Sequence, residues 1–280
     1  YVATFSPEPH GNPITGTRHA VVEGTDFNLW FDRAFLAAAT ADFSARLAHT
    51  WLRWGPGSAG TLGLSDGSLA LDVAEFRWRL LPRAQTTWFV AALDAFEEEY
   101  LAGHRIEVRL GSSFVAGLGE LARFSGDSLV PLYLLPLVGF TQREKQVSRF
   151  SDTSADSLGV RARNNVLWTG DLEWRVASGA TIYGELLLDD FTLGSDYRPT
   201  EMGYQLGARW SRRLGSRDAA AVRLEHTRIT NFTYSSEHGH DFASDGYALG
   251  YPAGPDVEVQ HGALDWTHGP DWVFGVQASR

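Results

Sequence analysis

Hydrophobic and polar residues alternate one for one along the stretch 165–176. Val166, Trp168, Leu172, Trp174 and Val176 fall on one side with Gly170 among them. Asn165, Thr169, Asp171, Glu173 and Arg175 fall on the other, Leu167 being the exception. The stretch 177–180, Ala-Ser-Gly-Ala, reads as a turn. Alternation then resumes over 181–191, with Ile182, Leu186 and Leu188 opposed to Thr181, Tyr183, Glu185 and Asp189. Side chains on a strand point to opposite faces with period two, so the pattern predicts a strand, a tight turn and a strand. Each arm runs about 11 residues, roughly twice the usual soluble strand and near the length that crosses a bilayer when tilted.

The pattern recurs. It predicts strands over roughly 25–33, 43–53, 72–80, 85–95, 100–110, 113–123, 165–176, 181–191, 202–213, 219–230, 257–267 and 271–280, with 257–267 the poorest in alternation. The Ala-rich stretch 33–45 also permits a short helix. Short links follow 80, 110, 176, 213 and 267, and long ones follow 53, 123, 191 and 230. Near-alternation of short and long links is the habit of bacterial barrels with short periplasmic turns and long outer loops. The link after 95 is short where a long one is expected, and the link after 33 is longer than the scheme wants. Alternation alone also suits a soluble β-sandwich, which buries one face and wets the other. Mixed charge on the polar face favours ladders across a wet lumen: Arg105, Glu107, Arg109, Asp171, Glu173, Glu185, Asp189, Arg209, Arg223 and Glu225.

The predicted fold is therefore all-β, a transmembrane antiparallel up-and-down β-barrel of about 12 strands over 25–280, preceded by an irregular segment, 1–24. The apolar run 129–140 is broken by Pro131 and Pro136, so it is too short and too broken for a membrane helix of about 20 residues. It lies in a long link and is expected to fold into the barrel as a plug or constriction. Tyr1 has no basic and apolar leader behind it, and Arg280 falls within a predicted strand, so the chain is expected to be part of a longer protein.

Composition narrows the chemistry. The 280 residues include no Cys, which excludes a disulfide scaffold, thiol catalysis and Cys-based zinc sites. A net charge of −10 argues against a nucleic-acid partner. Ten Trp and 29 Gly suit interfacial anchors and tightly curved strands. No phosphate-binding loop, dinucleotide fingerprint, nucleophile elbow or His-Glu-x-x-His sequence is present. Glu185 and Asp189 share a face but stand about 13 Å apart along the strand, beyond the roughly 5 to 9.5 Å of a glycosidase pair. Non-enzymatic function, with no cofactor, is expected. Glu237-His238-Gly239-His240-Asp241 is rich in metal-ligating types but matches no standard spacing, and no metal is expected.

Several stretches resemble the Wzi-type capsule assembly family. They are Arg53-Trp54-Gly55-Pro56-Gly57 with Leu62-Gly63-Leu64-Ser65-Asp66, Tyr100-Leu101-Ala102-Gly103-His104-Arg105, and Tyr183-Gly184-Glu185 through Asp190-Phe191. Gly250-Tyr251-Pro252-Ala253-Gly254-Pro255-Asp256 and Pro131-Leu132-Tyr133 to Phe140 join them. The resemblance implies an outer-membrane barrel of about 18 strands that holds polysaccharide at the cell surface, with the lipid bilayer, lipopolysaccharide and other outer-membrane proteins as partners. A bacterial outer-membrane location follows from it. Ligand contacts are expected from aromatic faces and nearby polar groups, namely Arg53, Trp54, Tyr133, Tyr197, Tyr234, Asp245 and Tyr247. The rivals are a porin-like channel for small polar solutes, a structural subunit of a larger complex, and a soluble glycosidase.

Overall fold

Period two carries through to the three-dimensional arrangement. The computed structural model describes residues 21–23, 26–28, 33–94, 97–125, 133–134, 139–140, 165–189, 201–236, 241–269 and 272–280. A small hairpin pairs β1 (Val21–Glu23) with β2 (Asp26–Asn28). The main strands are β3 (Ala34–Ala39), β4 (Phe43–Thr50), β5 (Leu71–Leu81), β6 (Ala84–Asp94), β7 (Glu99–Leu110) and β8 (Phe114–Ser125). They continue as β9 (Asn165–Ala177), β10 (Ala180–Asp189), β11 (Glu201–Arg213), β12 (Asp218–Ile229), β15 (Val257–His268) and β16 (Trp272–Ser279). These make one 12-stranded antiparallel sheet in which each strand lies beside its neighbour in sequence. The interposed β13 (Ala243–Ser244) and β14 (Tyr247–Ala248) form a hairpin of their own. Among the described residues, β3 and β16 are the two edges of the sheet.

The two faces differ as the alternation demands. Along the register Glu107, Gly117, Asp171, Glu185, Gln205 and Thr227 face one another on one side. The opposite side carries Ile106, Leu118, Trp168, Leu172, Leu186, Leu206, Leu224 and Leu264, all of them exposed, Leu206 at 60%. Glu185 and Gln205, by contrast, are 6% and 0% exposed. Apolar groups outward and polar groups buried is the inverse of a soluble sheet and the pattern of a wall set in lipid. Strands of 10 to 13 residues from β5 to β12 and in β15 reach about 33–43 Å at ~3.3 Å per residue, enough to cross the apolar band when tilted.

Curvature follows from what the buried face surrounds. The segment 51–70, between β4 and β5, touches every strand from β6 to β12. Trp54 stacks edge-on against Phe89 of β6 with ring centroids 5.2 Å apart, and its indole also lies over Gly103 of β7. Gly63 lies under Leu121 of β8 and Thr169 of β9. Gly57, Gly60 and Ser58 bond to Glu185 of β10, Gln205 of β11 and Glu225 of β12. A flat sheet would spread those strands over about 29 Å at ~4.8 Å spacing. A run of ten residues reaches all of them only because the sheet wraps around it.

The links sort by end. Turns between β5 and β6, β7 and β8, β9 and β10, β11 and β12, and β15 and β16 are short and lie at one end. Ser178-Gly179 is typical, with Gly179 at φ 77°, a left-handed conformation that Gly enters without a Cβ penalty. The strand ends joined by 51–70, 95–98, 126–164, 190–200 and 230–256 lie at the other end.

Two expectations need correction. The first barrel strand is Ala34–Ala39, not 25–33, and the helix considered over 33–45 is a strand, a turn and a strand closed by Thr40 Oγ1 accepting from Phe43 N. Pairing with β4 overrides the helical preference of alanine. The poorly alternating stretch 257–267 is the strand that the sequence predicted, paired along its length with β12. The described residues of the proline-broken stretch 129–140 do not lie inside the sheet. Its described residues Tyr133 and Phe140 rest on Phe124, Ala122 and Ala102, side chains of the outward face, and Phe140 N donates to Glu120 there. The residues that fill the interior are 51–70.

Candidate functional site

A loop buried inside a sheet must find partners for its own backbone, because water is not there to serve. Here inward carboxyl groups serve. Glu185 accepts from Gly57 N at 2.7 Å and Leu62 N at 2.8 Å. Glu225 accepts from Ser58 N at 2.6 Å, Ala59 N at 3.1 Å and the Tyr183 hydroxyl at 2.6 Å. Gln205 donates to Gly60 O and to Thr227. Gly55 holds φ 123° directly against the Glu185 carboxyl, where a Cβ would clash with it, so only glycine fits.

A second link closes over the first. Tyr234 donates its hydroxyl to Leu62 O at 2.7 Å, while its backbone N–H donates to Asp189 at 2.6 Å. Burial pushes the Tyr234 hydroxyl well above the ordinary tyrosine range, which keeps it a donor. Ser65 N donates to Leu249 O. Leu62, Leu64, Tyr234, Phe242, Leu249 and Tyr251 join Phe89, Leu101, Leu121, Leu167, Leu187 and Ile229 in one dry cluster. Leu167, the exception in the alternation, faces this cluster from the inner wall.

The interior is thus divided. The half nearest the long links is an apolar core sealed by 51–70 and 230–256. The half nearest the short turns holds a polar cavity of about 460 Å³. Its wall carries Arg105, which forms a two-pronged pair with Asp171 and lies 3.8 Å from Glu107. Gly117 leaves the space that the Arg105 guanidinium occupies. Arg209 pairs with Glu173, and Arg223 pairs with Asp265. Arg46 and Arg77 both bond to Glu75, at 3.0 Å and 2.8 Å.

The charged residues expected on the lumen side all lie on the inner face, but in two roles. Arg105, Glu107, Asp171 and Glu173 line the main cavity, Arg109 the smaller one beside it, and Arg209 and Arg223 pair with Glu173 and Asp265. Glu185, Asp189 and Glu225 hold the buried links. The aromatic candidates fare differently. Trp54 and Tyr234 are enclosed in the inner core and Tyr133 is covered on the outer wall, so none of these rings presents a free face. Arg53 lines the cavity and pairs with Asp66. Asp245 and Tyr247 sit at the tip of the β13–β14 hairpin, where Asp245 and Gly246 both have positive φ. Tyr197 and the His-rich stretch 237–240 lie outside the described residues. Arg46, Glu75 and Arg77 were missed in the sequence because their ladder looked like any other exposed ion pairing.

No family model matches the chain, and no curated protein matches it by sequence. Among solved structures it is similar to Wzi, described as an outer membrane protein involved in group 1 capsule assembly in Escherichia coli and a carbohydrate-binding β-barrel. Identity is 15%, the TM-score is 0.67, and the match covers 92% of this chain and 58% of that one. OccK11 (OpdR) of Pseudomonas aeruginosa matches at 11% identity and TM-score 0.43, over 95% of this chain and 69% of that one. The chain spans just over half the length of the Wzi structure. The likeness establishes the fold, an outer-membrane type of β-barrel.

Proposed function

We propose that this chain is part of a bacterial outer-membrane barrel that retains polysaccharide at the cell surface, of the kind the Wzi-type resemblance suggests, and that it is neither an enzyme nor an open diffusion channel. The observation that carries the reading is the occupied interior. The segment 51–70 is bound by carboxyl groups of β10 and β12 and covered by Tyr234, which supports a plugged interior over an open one. Support for carbohydrate comes from the similarity to a carbohydrate-binding barrel. On the loop side, Asp245 and Tyr247 remain the polar and aromatic candidates for glycan contact, with Tyr197 a further candidate from sequence alone.

Two measurements on purified protein test it together. In planar bilayers the protein is expected to be electrically silent, and immobilised protein is expected to retain an extracted surface polysaccharide. Steady conductance would replace the reading with a channel. Silence with no retention of any surface glycan would leave a structural subunit as the better account.

A further inference from the structure

One wall of the open half, on β4 and β5, carries two arginines against one carboxylate. Glu75 places one carboxyl oxygen on Arg46 and the other on Arg77, so one negative charge answers two guanidinium groups. A guanidinium has five donors in a fixed fork, and Arg46 Nε is buried without a partner. The neighbouring arginines differ: Arg105 is answered by both Asp171 and Glu107, and Arg209 by Glu173. The excess positive charge is therefore local to the β4–β5 wall.

Access points the same way. A smaller cavity of about 150 Å³ shares Gln85 and Glu107 with the main one and carries Arg79, Arg83 and Arg109 at the short-turn end. By register Arg175 and Arg213 continue the inner rim on β9 and β11. In a chain of net charge −10, this mouth gathers positive charge, and a low-dielectric wall focuses its field on an approaching anion.

We propose that the cavity between Arg46, Arg77, Gln85 and Glu107 is a binding site for a carboxylate-bearing sugar, a uronate unit, entering from the short-turn side. The carboxylate takes donors of Arg46 and Arg77 other than those that Glu75 holds. Gln85 and Glu107, paired on the adjoining strands β6 and β7, take ring hydroxyls, which a simple anion lacks. The volume of about 460 Å³ falls in the ordinary range for small-ligand sites, roughly 300–1,000 Å³. The sugar part of this inference rests on the carbohydrate reading above, whereas the preference for an anion rests on the arginines.

The test is a calorimetric titration of detergent-solubilised protein at low salt with glucuronate, glucose and inorganic phosphate. Glucuronate is expected to bind at least about ten-fold tighter than either of the others, the size of one charge-assisted hydrogen bond, and to weaken as salt is raised. Arg77→Gln is expected to lower that affinity by about ten-fold or more. Gln85→Ala, which breaks no ion pair and leaves the fold intact, is expected to narrow the gap between glucuronate and phosphate. Equal binding of phosphate and glucuronate, equal binding of glucose, or no binding by protein that keeps its heat-modifiable migration would each overturn the proposal. Polysaccharide retention without uronate binding sinks this inference alone, and uronate binding without retention sinks only the function proposed above.

Discussion

Replacing Glu185 by Ala removes the acceptor for two buried backbone N–H groups, those of Gly57 and Leu62. Each orphaned buried donor costs about 1–3 kcal/mol, so docking of 51–70 should weaken by about 2–6 kcal/mol. At 1.4 kcal/mol per decade this is a factor of roughly 30 to 20,000 in the equilibrium between docked and released segment. Hydrogen exchange reads that equilibrium directly. The amides of Gly57 and Leu62 should lose protection by this factor, while amides of β10 and β11 that bond strand to strand keep theirs. Water entering the space left by the carboxyl group would satisfy part of the loss and bring the result to the low end. Glu185→Gln retains one carbonyl acceptor and should fall between the two. Unchanged protection of Gly57 and Leu62 in Glu185→Ala would refute the claim that this carboxyl group holds the segment in place.

Three further outcomes follow from named contacts. Leu186→Arg puts a charge on the outward face and should destabilise the protein in vesicles by up to about 2–4 kcal/mol, measured as a shift in the folding equilibrium with urea. Tyr234→Phe removes the hydrogen bond to Leu62 O and should weaken closure by about 0.5–1.5 kcal/mol. Because burial raises the Tyr234 hydroxyl above its unfolded value of 10.0, its contribution is complete below that pH and is lost as pH rises above it. Closure in the parent protein should therefore weaken above about pH 10, and the Tyr234→Phe variant should lose that part of the dependence. Arg105→Ala leaves Asp171 charged and enclosed, at a cost of about 3–5 kcal/mol. Adding Asp171→Asn should recover part of it in the same unfolding assay.

Long, regularly alternating strands were legible from sequence because one face meets lipid over their whole length. That uniform solvent leaves a period-two signal, as in 165–176 and 181–191. Ala34–Ala39 was not legible, since alanine marks neither face and prefers a helix where pairing does not intervene. The interior was misread for a related reason. Segment 51–70 is rich in Gly and small residues, which signal a turn in sequence, yet those glycines are what let its backbone approach Glu185 and Gln205 closely. Pro131 and Pro136 drew the plug assignment to 129–140, where the described residues cover the outer wall instead. Four of the five stretches that carried the family resemblance converge in space, the exception being Pro131 to Phe140, whose described residues lie on the outer wall. Arg53–Gly57, Leu62–Asp66, Gly103, Glu185 and Gly250–Pro252 meet around one buried cluster. Their common location explains why so few residues, widely separated in sequence, stood out together.

The arrangement of lipid-facing and inward-facing residues is open to one direct experiment, since a chain without cysteine accepts single spin labels one position at a time. Labels placed successively from Ile182 to Leu188 in protein reconstituted in vesicles should show oxygen accessibility at Ile182, Gly184, Leu186 and Leu188. Tyr183, Glu185 and Leu187 should be shielded from both oxygen and a water-soluble relaxant. Aqueous accessibility at Glu185 with Leu186 closed to oxygen would contradict it, placing the apolar face in a dry interior and the carboxyl group in water.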